Sequence, residues 1–236
     1  SNYEPNTSAG KSYSRPKSYD GIQKVTPGSF VYDYLTSSRG ILPETLTAFR
    51  IAEQRSDENP SQIVFPYIRN GEILLLKWQN VERSSGGKKI IKTTKDSEPC
   101  LFGWQALSDS ARDVVICEGE IDAMTWHQMG IPALSIPRGC QDLSWVETEY
   151  PSLERFETIY LAYDSDEPGI EGAKKASERL GERCRIIQPM SPELFGKDAN
   201  EWLLRGATKE QFQACLDFAS ASDPECLKTP LDHADK

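Results

Sequence analysis

Histidine is almost missing from this chain, with His127 and His233 the only two, and none of the six cysteines forms a Cys-x-x-Cys pair. Zinc ligation therefore has no spacing to work with, and the thiols read as free, buried groups of a reducing compartment. No apolar run reaches the roughly 18 residues of a membrane span. The first 25 residues, polar and scattered with Ser, Tyr, Lys and Pro, show no signal-peptide pattern. A cytoplasmic protein without a membrane partner is expected. A basic excess is missing too: the net charge is −9 over 236 residues, which argues against a passive nucleic-acid coat. It leaves room for an enzyme whose acids form a metal site. Gly10-Lys11-Ser12 suggests a phosphate-binding loop, but Pro5 stands where that loop needs its first glycine and no strand precedes it. The opening Ser1-Asn2, without Met, reads as a cloning remnant on an excised fragment.

What is present changes character near residue 111. Residues 1–25 read as a flexible leader. Residues 28–51 read as two short helices around Arg39-Gly40, with Pro43 in a first helical turn. Asn70-Gly71 between the apolar runs of 62–78 is a strong hairpin signal, and "SSGGKK" at 84–89 is a further turn. After Asp113 strands and helices alternate. "VVIC", "PALSI", "TIYLAY" and "RCRII" are strand-like, and the segments "EIDAMTWHQMG", "LSWVETEYPSL" and "GIEGAKKASERLG" are helical, with helices from Asn200 to Arg205 and from Lys209 to Ala219. That alternation predicts an α/β fold, a parallel sheet covered on both faces. The expected organisation is a smaller basic α+β subdomain at 26–110, the α/β unit at 111–208, and a C-terminal helix and linker tail at 209–236.

The acids fall at strand ends. Glu118 follows "VVIC", Asp164 and Asp166 follow "TIYLAY", and Asp198 stands beyond "RCRII". Open α/β sheets form their sites in the crevice outside the carboxyl ends of the strands. In extended backbone, residues i and i+2 point to one side, so Asp164 and Asp166 would present two carboxylates to one point. Their repulsion calls for a divalent cation, and hard oxygen donors suit Mg²⁺. Gly119 and Gly169 are expected to let a ligand approach closely. Each acid alone has an ordinary alternative as a turn, a surface charge or a helix cap; three strand ends together favour a site. Glu120 and Asp122 are read as the acids a helix start favours in any case.

Cations are concentrated elsewhere. Arg69, Lys77, Arg83, Lys88, Lys89, Lys92 and Lys95 stand against Glu72 and Glu82 within residues 69–95, a surplus of five in an acidic chain. Such a face would contact phosphates and make binding salt-sensitive, or merely solubilise a hairpin. Arg138 in "IPRGC" is placed to reach a phosphate, and Lys197 precedes Asp198. Tyr67, Trp78 and Trp104 could stack on bases, though core positions suit them as well; Trp126 and Trp202 read as core.

"EGEIDAM", "AYDSDEPGIEGAKKA" and "KDANEWL" resemble, in order and spacing, the three motifs of the TOPRIM domain found in DnaG-type primases, topoisomerases and some nucleases. With the upstream "TPGSFVYDYLTSSRGILPETLTAFRI", "IVFPYIRNGEILLLKW" and "PCLFGWQAL", the likeness extends over residues 26–219 to the RNA polymerase domain of phage primase–helicases and Twinkle-like proteins. The resemblance implies DNA-templated RNA primer synthesis by two-metal nucleotidyl transfer with Mg²⁺ or Mn²⁺. It implies Glu118, Asp164 and Asp166 as catalytic acids and, with Asp198, as metal ligands. It also matches Lys77 to a lysine near nucleotide and template; Arg69, Lys88, Lys92, Arg138, Gly119 and Lys197 are the further candidates for nucleotide or template contact. The implied partners are single-stranded DNA, ribonucleoside triphosphates, an RNA primer and a replicative helicase domain, in a bacterial or phage-infected cell. A non-catalytic strand-binding module and a TOPRIM nuclease are the rival readings; a topoisomerase would need a larger gate than 236 residues supply.

Overall fold

A computed structural model describes residues 12–17, 19–56, 59–81 and 90–221. The N-terminal part is built on an antiparallel sheet in the order β1 (Ile22–Lys24), β2 (Ala52–Ser56), β3 (Asn59–Arg69), β4 (Glu72–Asn80) and β5 (Ile91–Thr93). The β3–β4 hairpin turns at Asn70 (φ 52°) and Gly71 (φ 81°), the paired positive angles that a two-residue hairpin of matching twist requires. Between β1 and β2 the chain forms α1 (Phe30–Asp33), a π-helical turn (Tyr34–Ser38) and α2 (Pro43–Ala48). The Ser29 hydroxyl caps α1 by accepting the Tyr32 amide at 3.2 Å. The turn expected at 84–89 lies outside the described residues.

The second sheet runs β10-β9-β8-β6-β7. Its strands β6 (Asp113–Cys117), β7 (Ala133–Ser135), β8 (Thr158–Ala162) and β9 (Cys184–Ile186) are parallel. The short β10 (Ser220–Ala221) closes the β9 edge in the antiparallel sense. The connecting helices are α3 (Glu120–Gln128), α4 (Ser144–Leu153), α5 (Glu167–Leu180), α6 (Pro192–Phe195), α7 (Ala199–Leu204) and α8 (Lys209–Asp217). From β6 the chain crosses to β7 on one side, and from β8 it crosses to β9 on the other. The strand order therefore reverses between β6 and β8, and a crevice forms beyond their carboxyl ends.

Two apolar clusters sandwich this sheet. One joins Trp145, Leu153, Ala173 and Leu180 of α4 and α5 to Val114, Ile116, Ile159 and Leu161 of the strands. The other joins Val115, Met124, Trp126, Trp202 and Phe212 to Leu35, Phe49, Ile63, Phe65 and Tyr67 of the N-terminal part, so hydrophobic packing is continuous across residue 111. Trp126 meets Trp202 and Phe212 at ring distances of 5.9 and 4.9 Å. Phe102 is the seam. Its ring packs on Phe49, Phe65 and Tyr67 at 5.2–5.7 Å, and its backbone bridges to Ser135 on β7. The free cysteines Cys100, Cys117, Cys140 and Cys184 are buried in this arrangement, and Cys215 is half-buried. Phe102→Ala should lower the unfolding free energy by about 3–5 kcal/mol, the usual cost of emptying a buried phenylalanine site; urea denaturation of the variant beside the parent measures it.

Candidate active site

β6 ends at Cys117 and delivers Glu118 to the crevice; Gly119 then caps α3, which carries Glu120 and Asp122 in its first turn. β8 ends at Ala162, two residues before Asp164. Glu118 Oε1 accepts the Asp164 amide at 3.0 Å, stitching the two strand ends together. Asp198 caps α7, its Oδ1 accepting the Glu201 amide at 2.8 Å. Carboxylate oxygens of Asp122, Asp164 and Asp198 all lie within 4.8 Å of one another.

Asp122 is the acid that sequence reasoning passed over. A carboxylate in a first helical turn is commonplace, and only the position of α7 reveals its use: the Asn200 amide donates to Asp122 Oδ1 at 3.0 Å. Asn200 Nδ2 continues to the Arg39 carbonyl at 2.8 Å and to Thr125 Oγ1 at 3.1 Å, tying α7 to α3 and to the N-terminal part. Asp166, expected to pair with Asp164, instead caps α5 by accepting the Gly169 amide at 3.0 Å and stands outside the triad. The bend after β8 breaks the extended geometry on which the i, i+2 expectation rested.

The two glycines make room for the acids. A Cβ on Gly169 would stand 2.2 Å from the Asp164 carbonyl oxygen and 2.8 Å from Glu118 Oε1, and one on Gly119 would stand 2.5 Å from Asp122 Oδ2. Their missing side chains are the space that the carboxylates occupy.

Burial dominates the electrostatics. It pushes Asp122 well above the usual carboxylate range, helped by the Asp198 charge. It likewise raises Glu118, with the Asp164 charge adding to the effect. Asp164 is raised by burial although Lys197 pulls the other way. Lys197 Nζ lies 2.7 Å from Asp164 Oδ2, and that bond holds the lysine above its ordinary value. The Arg39 charge acts on Asp122. Four carboxylates thus face few cations, and the donors are hard oxygens, so the residues present fit a divalent cation of the Mg²⁺ class.

The cations expected at phosphates take varied positions. Lys77, buried on β4, donates to Glu120 Oε1 at 2.5 Å, and the Tyr67 hydroxyl donates to the same oxygen. Arg69 is divided between Glu98 and Glu149, the latter at 2.8 Å. Its guanidinium is held by these two carboxylates. Glu149, unremarked in the sequence, also accepts the Leu101 amide and Trp104 Nε1, and burial pushes its carboxyl up to about 7. Lys92 is exposed and rests 5.6 Å over the Trp78 ring. Arg138 is half exposed and pairs with Asp142 at 3.2 Å. Lys88 and Lys89 lie outside the described residues.

The Toprim-like family model matches residues 115–203, from β6 to α7. The gene 57 protein of Mycobacterium phage D29 is 33% identical over 143 residues, covering 58% of this chain and 87% of that protein. A DNA helicase/primase of Enterobacteria phage T3 is 26% identical over 202 residues; the match takes in 83% of this chain and 33% of that much longer protein. The crystal structure of the primase fragment of the bacteriophage T7 primase-helicase aligns with a TM-score of 0.60 at 25% identity, over 81% of each chain. Reversed strand order, acids at the switch point and these relatives together place the chain in the TOPRIM primase family.

A buried carboxyl whose folded value is raised is destabilised in its charged form. Stability is then lost as pH climbs from the unfolded value through the folded one. Asp122→Asn keeps the acceptor for Asn200 and removes that charge. It should raise the unfolding midpoint in a chelator at pH 7–8, and the advantage should vanish below about pH 4, where both states are protonated. Thermal melts across that pH range measure it.

Proposed function

We propose that this domain synthesises RNA primers on single-stranded DNA. The 3′-hydroxyl of a template-paired ribonucleotide attacks the α-phosphate of an incoming ribonucleoside triphosphate. A new phosphodiester forms, pyrophosphate leaves, and the hydroxyl proton passes to a base. Phosphoryl transfer of this kind asks the protein for positioning and charge neutralisation more than for covalent chemistry. The observation that carries the reading is the convergence of Asp122, Asp164 and Asp198 at the switch point between β6 and β8.

Those three side chains would hold Mg²⁺ or Mn²⁺, with Glu118 beside them. Once bound, a divalent cation acidifies the attacking hydroxyl and neutralises phosphate charge. The rest falls to the protein. Glu118, fixed by the Asp164 amide and raised by burial, is the group to take the hydroxyl proton. Lys197, with its side chain 51% exposed, stands beside Asp164 as a cation for the triphosphate. Asp166 supports the site by setting the start of α5. Lys77 acts through Glu120, holding the start of α3 and hence Asp122, while Lys92 and Arg138 remain on the surface for template or nucleotide phosphates. The name of the T3 relative, a helicase and primase in one chain, supports a helicase domain on the same polypeptide as partner. The setting would be the cytoplasm of a bacterial or phage-infected cell.

The test is extension of a short RNA annealed to single-stranded DNA, with labelled ribonucleoside triphosphates and Mg²⁺ or Mn²⁺. Metal-dependent extension by the parent is expected, with a loss of about a hundredfold or more in Glu118→Gln, Asp122→Asn and Asp164→Asn. Asp166→Asn, which retains an oxygen to cap α5, should fall less than these three. Cleavage of the DNA in place of extension would make the domain a nuclease, and strand binding with neither activity would make it a loading module.

A further inference from the structure

A cleft of about 490 Å³ opens away from the acids, bordered by Arg50, the Asn70-Gly71 turn, Trp104, Gln105 and Arg155. Arg155 lies just before β8 begins, whereas Asp164 lies just after β8 ends. A five-residue strand spans about 17 Å, so the cleft and the acid cluster belong to opposite edges of the parallel sheet. Its volume is within the roughly 300–1,000 Å³ common for small-molecule sites.

Three features of its lining have no use in the chemistry described above. Arg50 is exposed, and has no ion-pair partner among the described residues; its backbone adopts φ 53°, in the left-handed region. Arg155 is anchored by a 3.0 Å bond to the Ser108 carbonyl and by its place 4.8 Å over the Phe156 ring, but its side chain remains 35% exposed. Among the described residues its ion-pair partner is Asp109 at 3.8 Å, which also borders the cleft. Gln105 is the third. Its Nε2 donates to the carbonyls of Phe49 and Pro66 at 2.8 and 3.2 Å, which leaves Oε1 enclosed without a partner. An enclosed acceptor with no donor is a cost that native structures seldom carry without a reason. Trp104 walls the cleft, stacked on Phe156 at 5.9 Å and fixed by its bond to Glu149.

Guanidinium pairs match phosphate oxygens. We propose that this cleft is a second nucleotide site, remote from the acids, which takes a nucleoside phosphate. The phosphate lies between Arg50 and Arg155, with Trp104 as the wall beside the nucleoside. The nucleoside phosphate is either free or one unit of a single DNA strand. In the second case the cleft guides the strand around the sheet edge opposite the chemistry.

The experiment is a titration in a chelator, so that metal-dependent binding at the acids is silent. ATP is followed by calorimetry and a fluorescent oligo-dA by anisotropy. The variants are Arg50→Gly, which suits the left-handed backbone, Arg155→Gln, and the charge-preserving Arg50→Lys. Both loss-of-charge variants should weaken binding about tenfold or more, with Arg50→Lys near the parent. Weakening for both probes identifies the nucleoside phosphate itself as ligand; weakening for the oligonucleotide alone identifies the strand. Unchanged affinity for both probes in both variants, or no binding by the parent, overturns the proposal. Arg50 is an exposed side chain, and thermal melts of each variant confirm that the fold is kept. The chelator removes the metal that the acids would hold, so the outcome is independent of whether the acids catalyse primer synthesis.

Discussion

Like charges held together against their own repulsion are the constraint on which this molecule is organised. Glu118, Asp122, Asp164 and Asp198 come from three separate stretches of chain, and nothing in their own interaction favours meeting. The surroundings impose it. Two parallel strands end side by side, Gly119 and Gly169 leave room for carboxylates where a methyl group would stand, and backbone amides of Asp164 and Asn200 supply hydrogen bonds to the charged oxygens. Lys197 and Arg39 neutralise part of the charge and leave the remainder. An apolar interior on both faces of the sheet stabilises the fold enough to carry this cost, as protein active sites commonly require.

The N-terminal part serves the same end from further away. Lys77 and Tyr67 reach from the antiparallel sheet to Glu120 at the first position of α3. Removing one partner of a buried pair leaves an uncompensated charge and is far more damaging than the net worth of the pair suggests. The contact therefore gives register rather than raw stability: the helix bearing Asp122 cannot slide without stranding Lys77. Arg69 plays a similar part with Glu98 and Glu149, joining the hairpin to α4. Lys77 and Arg69 thus pin the antiparallel sheet to the helices α3 and α4.

These contacts show what a sequence exposes and what it hides. The alternation of strands and helices after Asp113, the Asn70-Gly71 hairpin, the closures of α3 and α5 at Gly130 and Gly181, and the placement of Glu118, Asp164 and Asp198 beyond strands were legible, because each depends on periodicity or local turn chemistry. Asp122 was not, since its meaning depends on α7 arriving beside α3. The pairing of Lys77 with Glu120, 43 positions apart, left no local trace. The short β1, β5 and β10 escaped for another reason: unlike the short but more apolar β7 and β9, β1 and β5 carry no buried apolar run, β10 is two residues long, and all three exist because a neighbouring edge offers hydrogen bonds.

The buried cysteines have a consequence for handling and labelling the protein. Sulfur reacts as thiolate, and burial holds Cys117 well above the ordinary thiol value, Cys184 up at about 12 and Cys215 at about 11. Near neutral pH these sulfurs are almost wholly protonated, and Cys117 and Cys184 are enclosed as well, so alkylating agents and mild oxidants find little to attack there while the fold is closed. Cys117, buried at the end of β6 beneath the acids, should react only through local opening, which makes its modification rate a clock for the opening of the crevice.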